Sequence, residues 1–152
     1  MDFEKLSTFF SEELFIANLN GISRDEIFKE MTKALEDNGK IKNHKLVLET
    51  IKKRETLGST AIGKKVAIPH CRSLAVSSVH IVVGISRQGI IYDANKKRVN
   101  LIFLIVAPPK EKSNVYLPIL GKIVEMIKDN KIRRSLMKAE DFQSFIEVIQ
   151  GG

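Results

Sequence analysis

The sequence predicts an α/β protein, a three-layer α/β/α sandwich in which a mainly mixed β-sheet carries helices on both faces. The central segments 79–85 and 99–106 are apolar at successive as well as alternate positions, the pattern of strands covered on both sides. Helical spacing precedes and follows them, and doubly covered strands need helices above and below. With 152 residues, 43% of them apolar, the chain has the length of one domain and can bury a core without disulfide or metal staples. Residues 1–152 are therefore expected to form a single domain, with no internal repeat, low-complexity segment or linker.

Taken in order, residues 15–19 read as a short strand and Asn20-Gly21 as a turn. Ser23-Arg24-Asp25-Glu26 has the form of a capping box, in which the serine hydroxyl accepts from the Glu26 N–H and the Glu26 carboxylate reaches back to the cap. The helix it opens has Ile27, Met31, Ala34 and Leu35 on one face and ends at Asn38-Gly39. Asn43 caps a second helix, with Leu46, Val47, Thr50 and Ile51 on one face, running to about Arg54. The first doubly apolar strand is 79–85. Residues 90–92, a turn at 93–96 and residues 99–106 read as a strand pair. After Pro108-Pro109 helical spacing returns. Leu117, Leu120, Val124 and Ile127 share a face, and Pro118 is tolerated in the first turn. A short helix is expected at 132–137. Asp141 caps a last one that turns Phe142, Phe145, Ile146 and Ile149 inward.

Composition narrows the function classes. The formal charge of +7 favours acidic partners, but the bases are scattered over solvated helix faces, as at Lys40, Lys42, Lys45, Lys52 and Lys53. They form no stripe with interleaved aromatics, so nucleic acid is not expected as a partner. The single cysteine, Cys71, allows no intramolecular disulfide and fits a reducing compartment. The N-terminus lacks the basic and apolar regions of a signal peptide, and the longest apolar run, 101–107, is too short to cross a bilayer. A cytoplasmic protein that is not membrane-embedded is expected.

The stretch GSTAIGKKVAIPHCRS, Gly58 to Ser73, holds the chemistry. Gly58 to Lys64 matches most of a nucleotide-binding P-loop, but Lys65 stands where that motif needs a magnesium-binding hydroxyl. The context is also reversed, since the segment leaves a helix and leads into Val66-Ala67-Ile68-Pro69, where a proline would break any new helix. The P-loop reading is set aside. The residue before Pro69 is extended and Pro69 withholds a ladder donor, so pairing is expected to stop there and His70 to emerge at the carboxyl end of a strand, where open α/β sheets bind ligands. The glycines and the hydroxyls of Ser59 and Thr60 offer donors to an anion. On these local grounds alone the reading of His70 as a surface or half-buried histidine after a turn ranks ahead.

Arg54-Glu55, then Leu57 to Gly63, then Val66 to His70 closely resemble the signature of the fructose- and mannitol-type enzyme IIA domains of the bacterial phosphoenolpyruvate-dependent sugar phosphotransferase system, which nitrogen-regulatory relatives share. The resemblance covers nearly the whole chain. It implies a phosphoryl carrier in which His70 takes a phosphoryl group from the phosphorylated histidine carrier protein and hands it to an enzyme IIB domain, serving a membrane sugar permease indirectly. Arg54 matches the family's active-site arginine, with Ser59 and Thr60 as further donors, and no nucleotide, metal or other cofactor is implied. Many members carry a second active-site histidine where this chain has Tyr116. A phenol donates a hydrogen bond but carries no proton charge near pH 7, so slower transfer is expected. A regulatory module of the same fold, acting by phosphorylation-dependent docking, is the alternative. Lys64-Lys65 read either as added positive potential or as solvated loop lysines. Cys71 points away from His70 on an extended segment and reads as a buried, inert thiol.

Overall fold

The computed structural model describes residues 1–151. Its elements are α1 (Phe3–Ser7), β1 (Phe15–Ile16), α2 (Arg24–Asp37), α3 (His44–Glu55), β2 (Ala61–Gly63), β3 (Val66–Ala67), β4 (His70–Arg72), β5 (His80–Ile91), β6 (Arg98–Ala107), α4 (Tyr116–Lys128), α5 (Asn130–Met137) and α6 (Phe142–Gly151). One six-stranded mixed sheet runs β1-β5-β6-β3-β2, and β4 follows β3 along the same side of β6. β1 is parallel to β5, β3 and β4 are parallel to β6, and the β5/β6 and β2/β3 pairs are antiparallel.

Alternation along the two long strands builds two cores. Ile81, Val83 and Ile85 of β5, with Leu101, Phe103 and Ile105 of β6, pack against α1, α4, α5 and α6. Val82, Ile102, Leu104 and Val106 point the other way, onto Phe28, Met31 and Leu35 of α2 and Val47 and Ile51 of α3. Side chains on a strand change face every residue, so a run without polar interruption fills both layers. The sandwich expected from the sequence is the fold observed.

Caps set the helix starts. Ser23 accepts from Glu26 N at 3.2 Å, Asn43 from Lys45 N at 2.9 Å and Asp141 from Ser144 N at 2.8 Å. The Glu26 carboxylate, however, accepts from Ile22 N and not from the cap residue itself.

Three features differ from expectation. Residues 79–85 and 90–92 are not separate strands. β5 continues through a bulge between Ile85 and Ile90, where Gly89 turns at φ 77° and gives its N–H to Ser86 Oγ, and Asn100 Nδ2 caps the Ser86 carbonyl. On α4 the buried stripe is Tyr116, Ile119, Ile123, Met126 and Ile127, while Leu117 is 67% exposed. That helix is apolar almost all round, so spacing alone did not choose the face. Pairing also does not stop at Pro69. Ile105 N donates to the Pro69 carbonyl at 3.0 Å, and β4 continues on β6 in the register of β3. A proline loses only its N–H, and its carbonyl keeps the ladder intact.

Candidate functional site

β4 has β6 on one side and no strand on the other, because β2 pairs only with β3. Over this open edge lies a cleft of about 470 Å³, lined by Lys53 and Arg54 from the end of α3, Leu57 just beyond it, His70, Cys71 and Arg72 from β4, and Tyr116 from the start of α4.

His70 is half-buried, and its Nδ1 lies 2.7 Å from the Ile68 carbonyl. A carbonyl only accepts, so Nδ1 carries a proton, and in the neutral ring the lone pair is then on Nε2. Cys71 alternates away from His70 into the core beneath α2 and α3, as expected, and burial pushes its thiol pKa up to about 12. Arg54, in the last turn of α3, donates from Nη1 to the Gly58 carbonyl at 3.0 Å.

Tyr116 is the first residue of α4, and its ring centroid is 6.3 Å from that of His70. Burial raises its pKa to about 12, with the Cys71 thiol adding to the shift and Arg72 and Arg54 opposing it. The phenol is neutral at ordinary pH. Arg72 was not anticipated as a site residue. Two residues beyond His70, it returns to the same face of the strand, which the spacing in Pro69-His70-Cys71-Arg72 already signals. Its guanidinium lies 4.6 Å above the Tyr116 ring and donates to the Pro108 carbonyl at 3.0 Å. Among the described residues no carboxylate lines the cleft, and Lys53, Arg54 and Arg72 make no ion pair. The arrangement suits a dianion attached to Nε2.

His70, Arg54 and Tyr116 are thus brought together; Ser59 and Thr60 are not. Ser59 Oγ donates to Asp93 Oδ2 at 2.6 Å. Thr60 is 5% exposed, and its N–H and hydroxyl both turn to the buried carboxylate of Glu55, which also takes the Tyr92 hydroxyl at 2.8 Å. Glu55 needs donors to be buried as an acceptor, and Thr60 supplies two of them. Burial is the main cause that raises the Tyr92 pKa, helped by Glu55. Lys64 and Lys65 form the tip of the β2–β3 hairpin and line a different cavity, of about 420 Å³, with Asp93, Lys97 and Arg98. The P-loop-like glycines open no helix, since strand β2 lies between Gly58 and Lys64. Among the described residues no group of three His, Cys, Asp or Glu side chains is placed to hold a metal, and no helix is long and apolar enough to cross a membrane.

The chain matches the family model "Phosphoenolpyruvate-dependent sugar phosphotransferase system, EIIA 2" over residues 8–151. It belongs to this family. Among curated EIIA relatives it is 27% identical over 146 residues to the fructose-specific EIIABC component of Bacillus subtilis strain 168. The match takes in 95% of this chain but 23% of the relative, so this chain spans less than a quarter of that protein's length. Among solved EIIA structures, the nitrogen regulatory protein IIA-Ntr from Neisseria meningitidis superposes with a TM-score of 0.84 at 25% identity, over 95% of this chain and 99% of its own. The mannitol enzyme IIA of Escherichia coli, solved in complex with phosphorylated enzyme IIB, has the same fold, with a TM-score of 0.77 at 15% identity over 94% of this chain and 98% of the other.

Proposed function

We propose that the chain is a phosphoryl carrier of the sugar phosphotransferase system, with Nε2 of His70 as the acceptor atom. The observation that carries this is the Nδ1 contact with the Ile68 carbonyl, which in the neutral ring puts the lone pair on Nε2, with His70 lining a cleft that also holds Lys53, Arg54 and Arg72. The Nε2 lone pair forms a new N–P bond to the incoming phosphoryl group. The N–P bond of the donor phosphohistidine breaks, and its electron pair stays on the donor ring as a neutral imidazole. No proton has to move: Nδ1–H remains on His70, and the Ile68 carbonyl stabilises the positive ring that phosphorylation creates.

Transfer of this kind rests on positioning and on neutralising the equatorial oxygens. Arg54 is the clamp, and its planar fork matches two of those oxygens. Tyr116 closes the cleft with a neutral hydroxyl, while Ser59 and Thr60 act at one remove by shaping the loop that carries Arg54's partner Gly58. In this reading the donor is the phosphorylated histidine carrier protein and the acceptor an enzyme IIB domain, a pairing supported by the E. coli mannitol complex. It implies a cytoplasmic setting and, through IIB, a membrane sugar permease. The test is to incubate the protein with phosphoenolpyruvate, enzyme I and the histidine carrier protein, then measure intact mass. We expect an acid-labile gain of one phosphoryl group, lost in His70→Ala and slowed in Arg54→Lys; a gain that survives His70→Ala refutes the assignment.

A second reading draws on the IIA-Ntr likeness: the same phosphorylation would act as a signal that changes docking to a regulatory partner. Efficient passage of the phosphoryl group to an enzyme IIB domain favours the carrier reading. A stable phosphorylated form that no IIB discharges favours the regulatory one.

A further inference from the structure

We propose that Arg72 is a second phosphate ligand of the cleft, held in place by Tyr116, so that the Arg72–Tyr116 stack supplies a positive charge beside the phosphoryl group. The inference rests on the reading of His70 as the acceptor.

Four observations converge on it. His70 and Arg72 are two residues apart on β4 and so share a face, roughly 6.6 Å apart along the strand, a span that a phosphoryl group on Nε2 and the long arginine side chain close between them. The guanidinium carbon lies over the Tyr116 ring, 4.6 Å from its centroid, a cation–π contact that uses none of the N–H donors. Of its five donors, the Pro108 carbonyl takes one. Arg72 is exposed and has no carboxylate partner among the described residues, and the neutral Tyr116 does not compensate it. A guanidinium fixed by a stack and one carbonyl, yet open at its edge, is pre-organised for an anion.

In the transfer step Arg72 forms and breaks no covalent bond. As the N–P bond to His70 forms and the donor's bond breaks, its N–H groups hold equatorial oxygens on the side opposite Arg54. Tyr116 is then a positioning residue, acting through Arg72.

Phosphoramidate, a small phosphoryl donor, tests this without any docking partner. The rate of phosphohistidine formation is followed by intact mass in the parent, Arg72→Ala, Arg72→Lys, Tyr116→Ala and the double alanine variant. The same proteins are treated with diethylpyrocarbonate, a neutral reagent that modifies His70 without needing an anion clamp. Loss of a charge-assisted hydrogen bond predicts that Arg72→Ala is slower by about 10- to 100-fold with phosphoramidate. Arg72→Lys recovers part of the rate, and Tyr116→Ala is slow with little further loss in the double variant, the signature of residues acting as a unit. Reactivity towards diethylpyrocarbonate stays near the parent value. Arg72→Ala phosphorylated at the parent rate overturns the inference and leaves the His70 reading standing. Equal slowing towards both reagents also overturns it, since that marks a distorted site. A parent modified by diethylpyrocarbonate but never phosphorylated overturns the inference and the His70 reading together.

Discussion

Replacing Glu55 by glutamine removes one charge at nearly constant volume, and the structure sets what that change does. Glu55 is 6% exposed and accepts three hydrogen bonds, from Thr60 N at 3.1 Å, from the Thr60 hydroxyl, and from the Tyr92 hydroxyl at 2.8 Å. A carboxylate has acceptor sites for all three donors, whereas an amide has one oxygen and two N–H groups. Turned one way, the amide N–H faces the Thr60 N–H; turned the other way, the two hydroxyl protons compete for too few acceptors. Converting three charge-assisted bonds into neutral or broken ones loses about 1 kcal/mol each, or about 3 kcal/mol together. For a chain of this length that lowers Tm by about 6–12 °C. Urea unfolding followed by circular dichroism measures the loss, and amide exchange at Thr60 locates it, because that N–H loses its acceptor while the sheet amides keep theirs. A Glu55→Gln variant within about 0.5 kcal/mol of the parent, the usual range for a neutral surface change, would refute this account of the network.

Three further predictions follow from groups outside the proposed phosphate contacts. Lys64 and Lys65 sit at φ 56° and 70°, both left-handed, in a two-residue hairpin turn that favours Asn-Gly; the Lys64→Asn/Lys65→Gly variant should gain about 1 kcal/mol, and an unchanged or lower Tm contradicts this. Cys71 is raised from 9.0 to about 12, so above pH 9 the unfolded chain loses a proton that the folded one keeps. Stability should then fall by up to about 1.4 kcal/mol per pH unit, and Cys71→Ala should flatten that decline in urea titrations at pH 9–11. His80 is lowered from 6.5, chiefly by burial and then by Lys40, so its contribution is present above pH 6.5 and is lost as pH falls through its folded pKa; His80→Gln should remove that part of the acid slope, and an identical pH profile argues against it.

Patterns that depend only on neighbouring residues were legible in the sequence. The caps at Ser23, Asn43 and Asp141, the doubly apolar strands and the helix pair before the signature loop all act within a few residues, and all are where the spacing puts them. Features decided by a distant partner were not. The bulge in β5 depends on Asn100 from the next strand, and the buried face of α4 depends on which layer it meets. The site divides in the same way. His70 and Arg54 carry motif information, and Arg72 was available from strand alternation. The engagement of Thr60 by Glu55 and Tyr92 arises from residues up to 37 positions apart, which no local pattern records.

That buried network also bears on the tautomer of His70. Along β3 and β4 successive peptide groups face opposite sides, so the Pro69 carbonyl meets Ile105 on β6 while the Ile68 groups face the outer edge. There the Ile68 N–H donates to the Thr60 carbonyl at 3.0 Å, the last link between the β2 lane and this strand. Upstream of Thr60 the chain leaves the sheet, because Thr60 is drawn to Glu55 at the end of α3. With no strand beyond that point, the Ile68 carbonyl is left for His70 Nδ1, and the proton that this carbonyl requires on Nδ1 puts the lone pair of the neutral ring on Nε2. A carboxylate buried at the end of a helix thus fixes where a strand lane ends, and the end of that lane sets the tautomer of the histidine beside it. The glutamate of the Arg54-Glu55 pair thus acts on the His70 ring through the backbone, even though its side chain does not line the cleft.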